Sequence, residues 1–193
     1  MWERGWSFIK KAGTIILLST IVIWFLSFFG WADGGFGMLE EEQMDSSILA
    51  KLGNLIAWIF APIGWGNWQA AVASITGLVA KENIVGTMGI LYGGEETWAN
   101  MAQAFTAPAG LSLLIFNLLC APCFAAIGAF KREMNSRKWT CAALGWQCGF
   151  AYVVSFCVYQ IGSMCTGAGN IFGFILSIAV IGCFCWLLFR KAK

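Results

Sequence analysis

The sequence predicts an all-α, polytopic helical membrane protein with a broken, gate-like helix pair. Three observations carry that expectation. Of the 193 residues, 59% are hydrophobic and only 11% are charged, with a mean hydropathy of +0.73; a soluble domain usually carries about 25% charged residues. Apolar runs long enough to cross a bilayer, at about 20 residues each, recur along the chain. One of those runs holds Lys81, Glu82 and Asn83 near its centre. The composition excludes a soluble globular protein, a disordered tail and a nucleic-acid binder, and the formal charge of +2 is too small to signal a polyanionic partner. Histidine is absent, so metal or proton chemistry falls to Cys, Met, Glu, Asp, Lys, Asn or the backbone.

The chain reads as one transmembrane domain, 1–193. Full spans are expected at 12–30, 110–130, 139–161 and 171–189, with two crossing or re-entrant segments at 48–64 and 68–91. The first run is too long for a signal-peptide core, and an acidic loop rather than a cleavage site follows it. Arg4, Lys10 and Lys11 precede it; Lys131, Arg132, Arg137 and Lys138 fill a later loop; Arg190, Lys191 and Lys193 end the chain. The positive-inside rule places all three clusters, and so both termini, in the cytoplasm. Trp31–Ser47 holds Asp33, Glu40, Glu41, Glu42 and Asp45 without a base, and is expected outside as a solvated surface. The tryptophans, including Trp65 and Trp68, fall near span ends, as an interfacial belt requires.

The run from Trp68 to Leu91 is the unusual one. A charge in mid-membrane costs about 3 kcal/mol on insertion scales. Lys81 and Glu82 are adjacent, about 100° apart on a helix, and cannot both reach the same interface. Gly77, Gly86 and Gly89 flank them. This pattern suits a helix broken at mid-membrane, where backbone groups and a carboxylate meet an ion. It also suits a helix end turning near the cytoplasmic interface. A hairpin tip that gates would satisfy both readings.

Eight cysteines spread over apolar segments do not resemble a secreted disulfide framework. Most, Cys157, Cys183 and Cys185 among them, read as small packing residues. Cys120 and Cys123, in C-A-P-C, are expected three apart on one helical face. Pro122 cannot donate to the Leu118 carbonyl. A kinked helix with a free carbonyl, two thiols and Asn117 one turn earlier makes a candidate soft-metal site, with Fe(II) within its range. A thiol–disulfide couple of Cys120 and Cys123, or packing alone, are the competing readings. On the next span Cys141, Gly145, Cys148, Tyr152, Ser155 and Tyr159 form a small-and-polar stripe, suited to helix packing or to lining a path.

The runs ERGWSFIKKAGTIILLSTIVIW (Glu3–Trp24), APIGWGNWQAAVASITGLVAKENIVGTMGILYG (Ala61–Gly93) and LLCAPCFAAIGAFKRE (Leu118–Glu133) resemble the carboxyl-terminal membrane region of the ferrous iron transport protein B (FeoB) family, in its order and at about its spacing. The likeness runs through nearly the whole chain. It implies part of an Fe(II) importer of the bacterial inner membrane, forming part of the permeation path and gate, with a cytoplasmic G domain supplying GTP and Mg2+ chemistry. Lys81 and Glu82 match the family's A-K-E motif, Cys123 its P-C cysteine and Glu133 the acid after its basic pair. The expected metal-facing residues are Cys123, Cys120 and Glu82; Lys81, Asn83, Asn117, Glu133 and Cys148 are expected to support gate or pathway. The chain holds no G-x-x-x-x-G-K-[ST] phosphate loop, so no enzymatic activity is expected of it. The expected partners are Fe(II), the lipid bilayer, the G domain and first membrane repeat, in cis or as a separate chain, and further copies in a homo-oligomer. A membrane thiol–disulfide relay and a gate-fold permease for an organic solute are the alternative functions.

Overall fold

The computed structural model describes residues 13–14, 17–18, 21–26, 28–32, 35–39, 46–79, 81, 83–93, 97–167 and 169–190. Glu82, the acidic residues Asp33, Glu40, Glu41, Glu42 and Asp45, and the terminal bases Arg4, Lys10, Lys11, Lys191 and Lys193 lie outside them, as does the side chain of Asn83.

Residues 21–26 are helical. The expected first span does not run as helix to Gly30, because Phe29–Ala32 forms strand β1, paired antiparallel with β2, Gly35–Met38. Glycines in both strands weaken helix there and suit the hairpin. A Cβ at Gly30 would meet the Ser46 carbonyl and the Ser47 backbone. That close approach lets the hairpin bridge to Ser47, which then caps α1, Ile48–Phe60, by accepting from the Ala50 amide at 3.0 Å.

Pro62 stops α1. A single 3-10 turn follows over Ala61–Ile63, and Gly64 closes it at φ 93°, in the left-handed region that glycine enters without Cβ strain. The chain then turns into α2, Trp68–Val79, at 93° to the helix before it. After the turn at Lys81, α3 (Asn83–Leu91) packs back along α2. The Thr76 hydroxyl lies 3.2 Å from that of Thr87, 11 residues on. On a straight helix those residues would stand about 16 Å apart, so α2 and α3 form a helical hairpin. Its arms, of 12 and 9 residues, are about 18 and 14 Å long, each short of the roughly 30 Å hydrocarbon core.

Helix α4, Thr97–Ala104, meets α5, Ala107–Leu119, at 101°. The expected span 110–130 is two helices rather than one: α5 ends at Leu119 and α6, Phe124–Met134, begins after a non-helical stretch. Proline both lacks the amide and disfavours helix at the residue before it, and here the helix breaks instead of kinking. Helix α7, Arg137–Cys165, is 29 residues long and apolar enough to span; α8, Ile171–Phe189, packs beside it.

The most extensive helix contact is between α5 and α7, followed by α1 with α2. At its centre Trp65 is only 2% exposed. It stacks on Phe60 at 4.4 Å between centroids and meets Phe116 edge-on at 5.5 Å. Trp65 and Trp68 are thus core residues, which corrects the interfacial expectation: the turn at Pro62–Gly64 directs both inward. Leu55, Trp58, Leu114, Trp146 and Phe172 are exposed on the outer helix surfaces. On a protein with these apolar helices, that outward face meets lipid.

Candidate functional site

Two helix interruptions meet. One is the tip of the α2–α3 hairpin, with Lys81 at the turn. The other is the break between α5 and α6. There Cys120 adopts φ −60°, ψ 168° and Cys123 φ −58°, ψ 159°, both extended. The two cysteines therefore do not share a helical face, which corrects that expectation. A helix leaves its last carbonyls without intrahelical donors, and at this break one of them is the Leu118 carbonyl that Pro122 cannot serve.

Lys81 supplies the donor. Its Nζ donates to the carbonyl oxygens of Leu118, at 3.2 Å, and Cys120, at 3.4 Å. The ammonium thus sits at the negative end of the α5 dipole. The expected free carbonyl is occupied, and the occupant is a cation from the other interruption. Helix α7 holds the same residue from its own side. Gln147 Nε2 donates to the Cys120 carbonyl at 3.5 Å, and Cys120 Sγ lies 3.6 Å from Cys148 Sγ. Cys120 is 6% exposed and Cys148 half-buried.

The remaining expected residues scatter around this cluster. Cys123 is half-buried at the start of α6, where its carbonyl accepts from the Ile127 amide at 2.9 Å. Asn117 donates to the Leu113 carbonyl at 2.9 Å, its side-chain oxygen facing Gly77 of α2. Glu133 is exposed near the end of α6. Among the described residues, no three or more His, Cys, Asp or Glu side chains group as a metal cage.

A second set of polar contacts lies at the Pro62 turn. The Tyr152 hydroxyl donates to the Ile59 carbonyl at 2.7 Å, and Gln160 Nε2 to the Pro62 carbonyl at 3.1 Å. The Ser112 hydroxyl reaches the Ile63 carbonyl at 2.9 Å and the Ser155 carbonyl at 3.2 Å. At the broken helix these residues supply donors to carbonyls of its last turn and of the 3-10 turn that follows. Sequence reasoning placed Tyr152 and Ser155 in a packing stripe and missed Ser112, Gln147 and Gln160. A signal existed: polar residues in apolar spans opposite a proline-broken segment. Helix α8 joins through Gly173, where a Cβ would strike the Gln160 amide, and through the Ser177 carbonyl, 3.8 Å from the Cys157 thiol.

Residues 9–137 match the family described as Gate, nucleoside recognition. The chain is 36% identical over 171 residues to the Fe(2+) transporter FeoB of Methanocaldococcus jannaschii, covering 84% of this chain and 25% of that protein. It is 35% identical over 165 residues to FeoB of Staphylococcus aureus strain COL, covering 84% and 24%. A Porphyromonas gingivalis fusion of Fe(2+) transport protein A with FeoB is 29% identical over 207 residues, covering 84% and 24%. The chain thus spans about a quarter of the length of the curated relatives it matches. No solved structure matches it. With helices of spanning character, a helical hairpin that turns at Lys81 and a helix break at Pro122–Cys123, the chain belongs to the Gate nucleoside-recognition family and falls with the membrane region of the FeoB proteins.

Proposed function

We propose that this chain forms the carboxyl-terminal part of a ferrous iron transporter of the bacterial inner membrane, with both termini cytoplasmic. The α2–α3 hairpin re-enters the bilayer, and its tip closes against the α5–α6 break as a gate. The observation that carries this reading is the Lys81 ammonium on the carbonyls of Leu118 and Cys120: a tethered cation rests where a passing cation would need oxygen ligands. Opening withdraws Lys81 from those carbonyls. Fe(II) then meets them together with Cys123 and Glu82, a mixed soft and hard donor set that Fe(II) accepts. Asn83, Asn117, Glu133 and Cys148 support the path. The names of the FeoB relatives favour Fe(II) as the cargo. A G domain and the first membrane repeat, in cis or as a separate chain, supply GTP/Mg2+ chemistry and the other wall of the path.

The test is Fe(II) uptake by cells that express this chain together with those parts and lack other ferrous uptake. Cys123→Ser is expected to cut uptake by at least about tenfold, the lower end of what losing even an outer-shell partner of a metal costs, while Cys141→Ser leaves it unchanged. Equal uptake by both variants would remove Cys123 from the path. The family description favours a second reading, an organic solute such as a nucleoside. Inhibition of uptake by added nucleoside, with no dependence on Cys123, would support it over iron.

A further inference from the structure

Cys120 and Cys148 form a thiol pair whose sulfurs have no metal contact in the proposed iron pathway. Their sulfurs are 3.6 Å apart. They come from different elements, one at the α5–α6 break and one on α7. The Gln147 amide fixes the Cys120 backbone beside them. No third Cys, Asp or Glu joins the pair among the described residues. A divalent ion such as Zn(II) usually takes four ligands in a structural site and keeps at least three from protein in a catalytic one. Two thiolates alone leave it under-coordinated. A soft monovalent d10 ion, Cu(I) or Ag(I), is satisfied by two thiolates, and thiolate sulfur selects that class.

Charge points the same way. Two thiolates and one monovalent cation carry one net negative charge. The Lys81 ammonium, held on the Cys120 carbonyl, contributes one positive charge beside them, and the group is neutral. A divalent ion in the same place would leave a net positive charge beside the buried Cys120, where an uncompensated charge is costly. We propose that Cys120 and Cys148 form a two-thiolate binding site for a soft monovalent cation of the Cu(I) class. Binding forms two metal–sulfur bonds, releases both thiol protons to water and changes no oxidation state. The site shares Lys81 and Cys120 with the proposed gate, but its test reads retention of a different ion and can fail without the iron reading failing.

The experiment uses the full chain in lipid nanodiscs, with Cu(I) supplied anaerobically against a chromophoric Cu(I) chelator. A variant keeping Cys120 and Cys148 as its only thiols is expected to hold one Cu(I) per chain, with two sulfur neighbours by X-ray absorption. Adding Cys148→Ser is expected to weaken retention by more than the roughly 10- to 100-fold typical of losing an outer-shell partner. Zn(II) in place of Cu(I) is expected to be lost to a matched chelator. Should the two-thiol variant fail to fold, Cys148→Ser and Cys141→Ser, the latter at an exposed thiol, are compared in the native chain, where only the first should remove one equivalent. Equal retention by Cys148→Ser, equal loss by Cys141→Ser, or Zn(II) held as firmly as Cu(I) would overturn the proposal.

Discussion

The chain interrupts its helices at Pro62 and again at Cys120–Cys123, and it treats the resulting carbonyls in opposite ways. At Pro62 the carbonyls of Ile59, Pro62 and Ile63 accept from Tyr152, Gln160 and Ser112. The donors are neutral, they sit on packed helices, and the turn is plugged by Trp65 between Phe60 and Phe116. At Cys120 the carbonyls accept from Lys81, a charged group on a long stem at a hairpin tip. Both arrangements answer the same demand, since a backbone group buried away from water must be paired. A neutral donor from a fixed helix makes a permanent bend. A cation on a flexible stem can be replaced by another cation, which makes a joint suited to gating.

The largest effect that sharpens this contrast comes from Trp65→Ala. Truncating a buried aromatic typically costs about 3–5 kcal/mol, and Trp65 fills the space between α1 and α5. Unfolding in detergent should show a loss of that size. If the Pro62 bend is only scaffold, the variant rescued at low temperature should still close Lys81 on α5. Cross-linking of the native Lys81 amine to a cysteine placed at 119 measures that closure. Loss of the cross-link in a folded variant would make the two interruptions one mechanical unit.

Lys81→Met acts on the other side. It leaves the Leu118 and Cys120 carbonyls without their charged donor. A hydrogen bond to a charged group contributes about 1.5–3 kcal/mol, and the partial exposure of Lys81 puts the loss toward the lower end. Lys81→Arg, which keeps the charge and the donors, should recover most of it. A Lys81→Met chain as stable as the parent would mean that the ammonium is not what holds the tip to α5.

The hairpin turn at Lys81 and the break at Pro122 also differed in how far the residues announced them. Lys81–Glu82 inside an apolar run signals a break, because an unbroken span would carry both charges into hydrocarbon at a cost of several kcal/mol, and the hairpin lies there. Pro122 signalled a disturbed helix, but its sequence did not distinguish a kink from an end. That choice depends on whether a donor from elsewhere can serve Leu118, and Lys81, 37 residues earlier, does. The same dependence on long-range partners hid the Cys148 thiol: a spacing of three made Cys123 the obvious mate of Cys120, and the extended backbone removed the helical geometry that the spacing assumed. Trp65 and Trp68 were misplaced for a related reason. Position along the chain marks a span end only if the span runs straight, and the turn at Pro62–Gly64 carries both rings inward.

Gly64→Ala probes the rigidity of the scaffold bend. Gly64 sits at φ 93°, and an alanine in left-handed backbone costs about 1–2 kcal/mol. Its Cβ would also overlap the Tyr159 ring of α7. A stability loss at or above that range is expected, together with weaker packing of α7 read as faster amide exchange around Tyr159. A neutral result would show that the turn relaxes, and the bend would then be less fixed than its buried partners imply.

The smallest expected effect comes from Tyr152→Phe, and it separates the two interruptions most cleanly. The substitution keeps the ring and removes only the hydroxyl that donates to Ile59 at 2.7 Å. One neutral hydrogen bond contributes about 0.5–1.5 kcal/mol net. Tyr152 stands one helical turn from Cys148 on α7, so it also reports whether the bend and the gate communicate through that helix. If they are independent, Tyr152→Phe and Lys81→Met should add in the double variant to within about 0.5 kcal/mol, as separate sites do. A larger interaction energy would mean that α7 transmits strain from the Ile59 carbonyl to the Cys120–Cys148 pair, and the fixed bend would then be part of the gate's hinge.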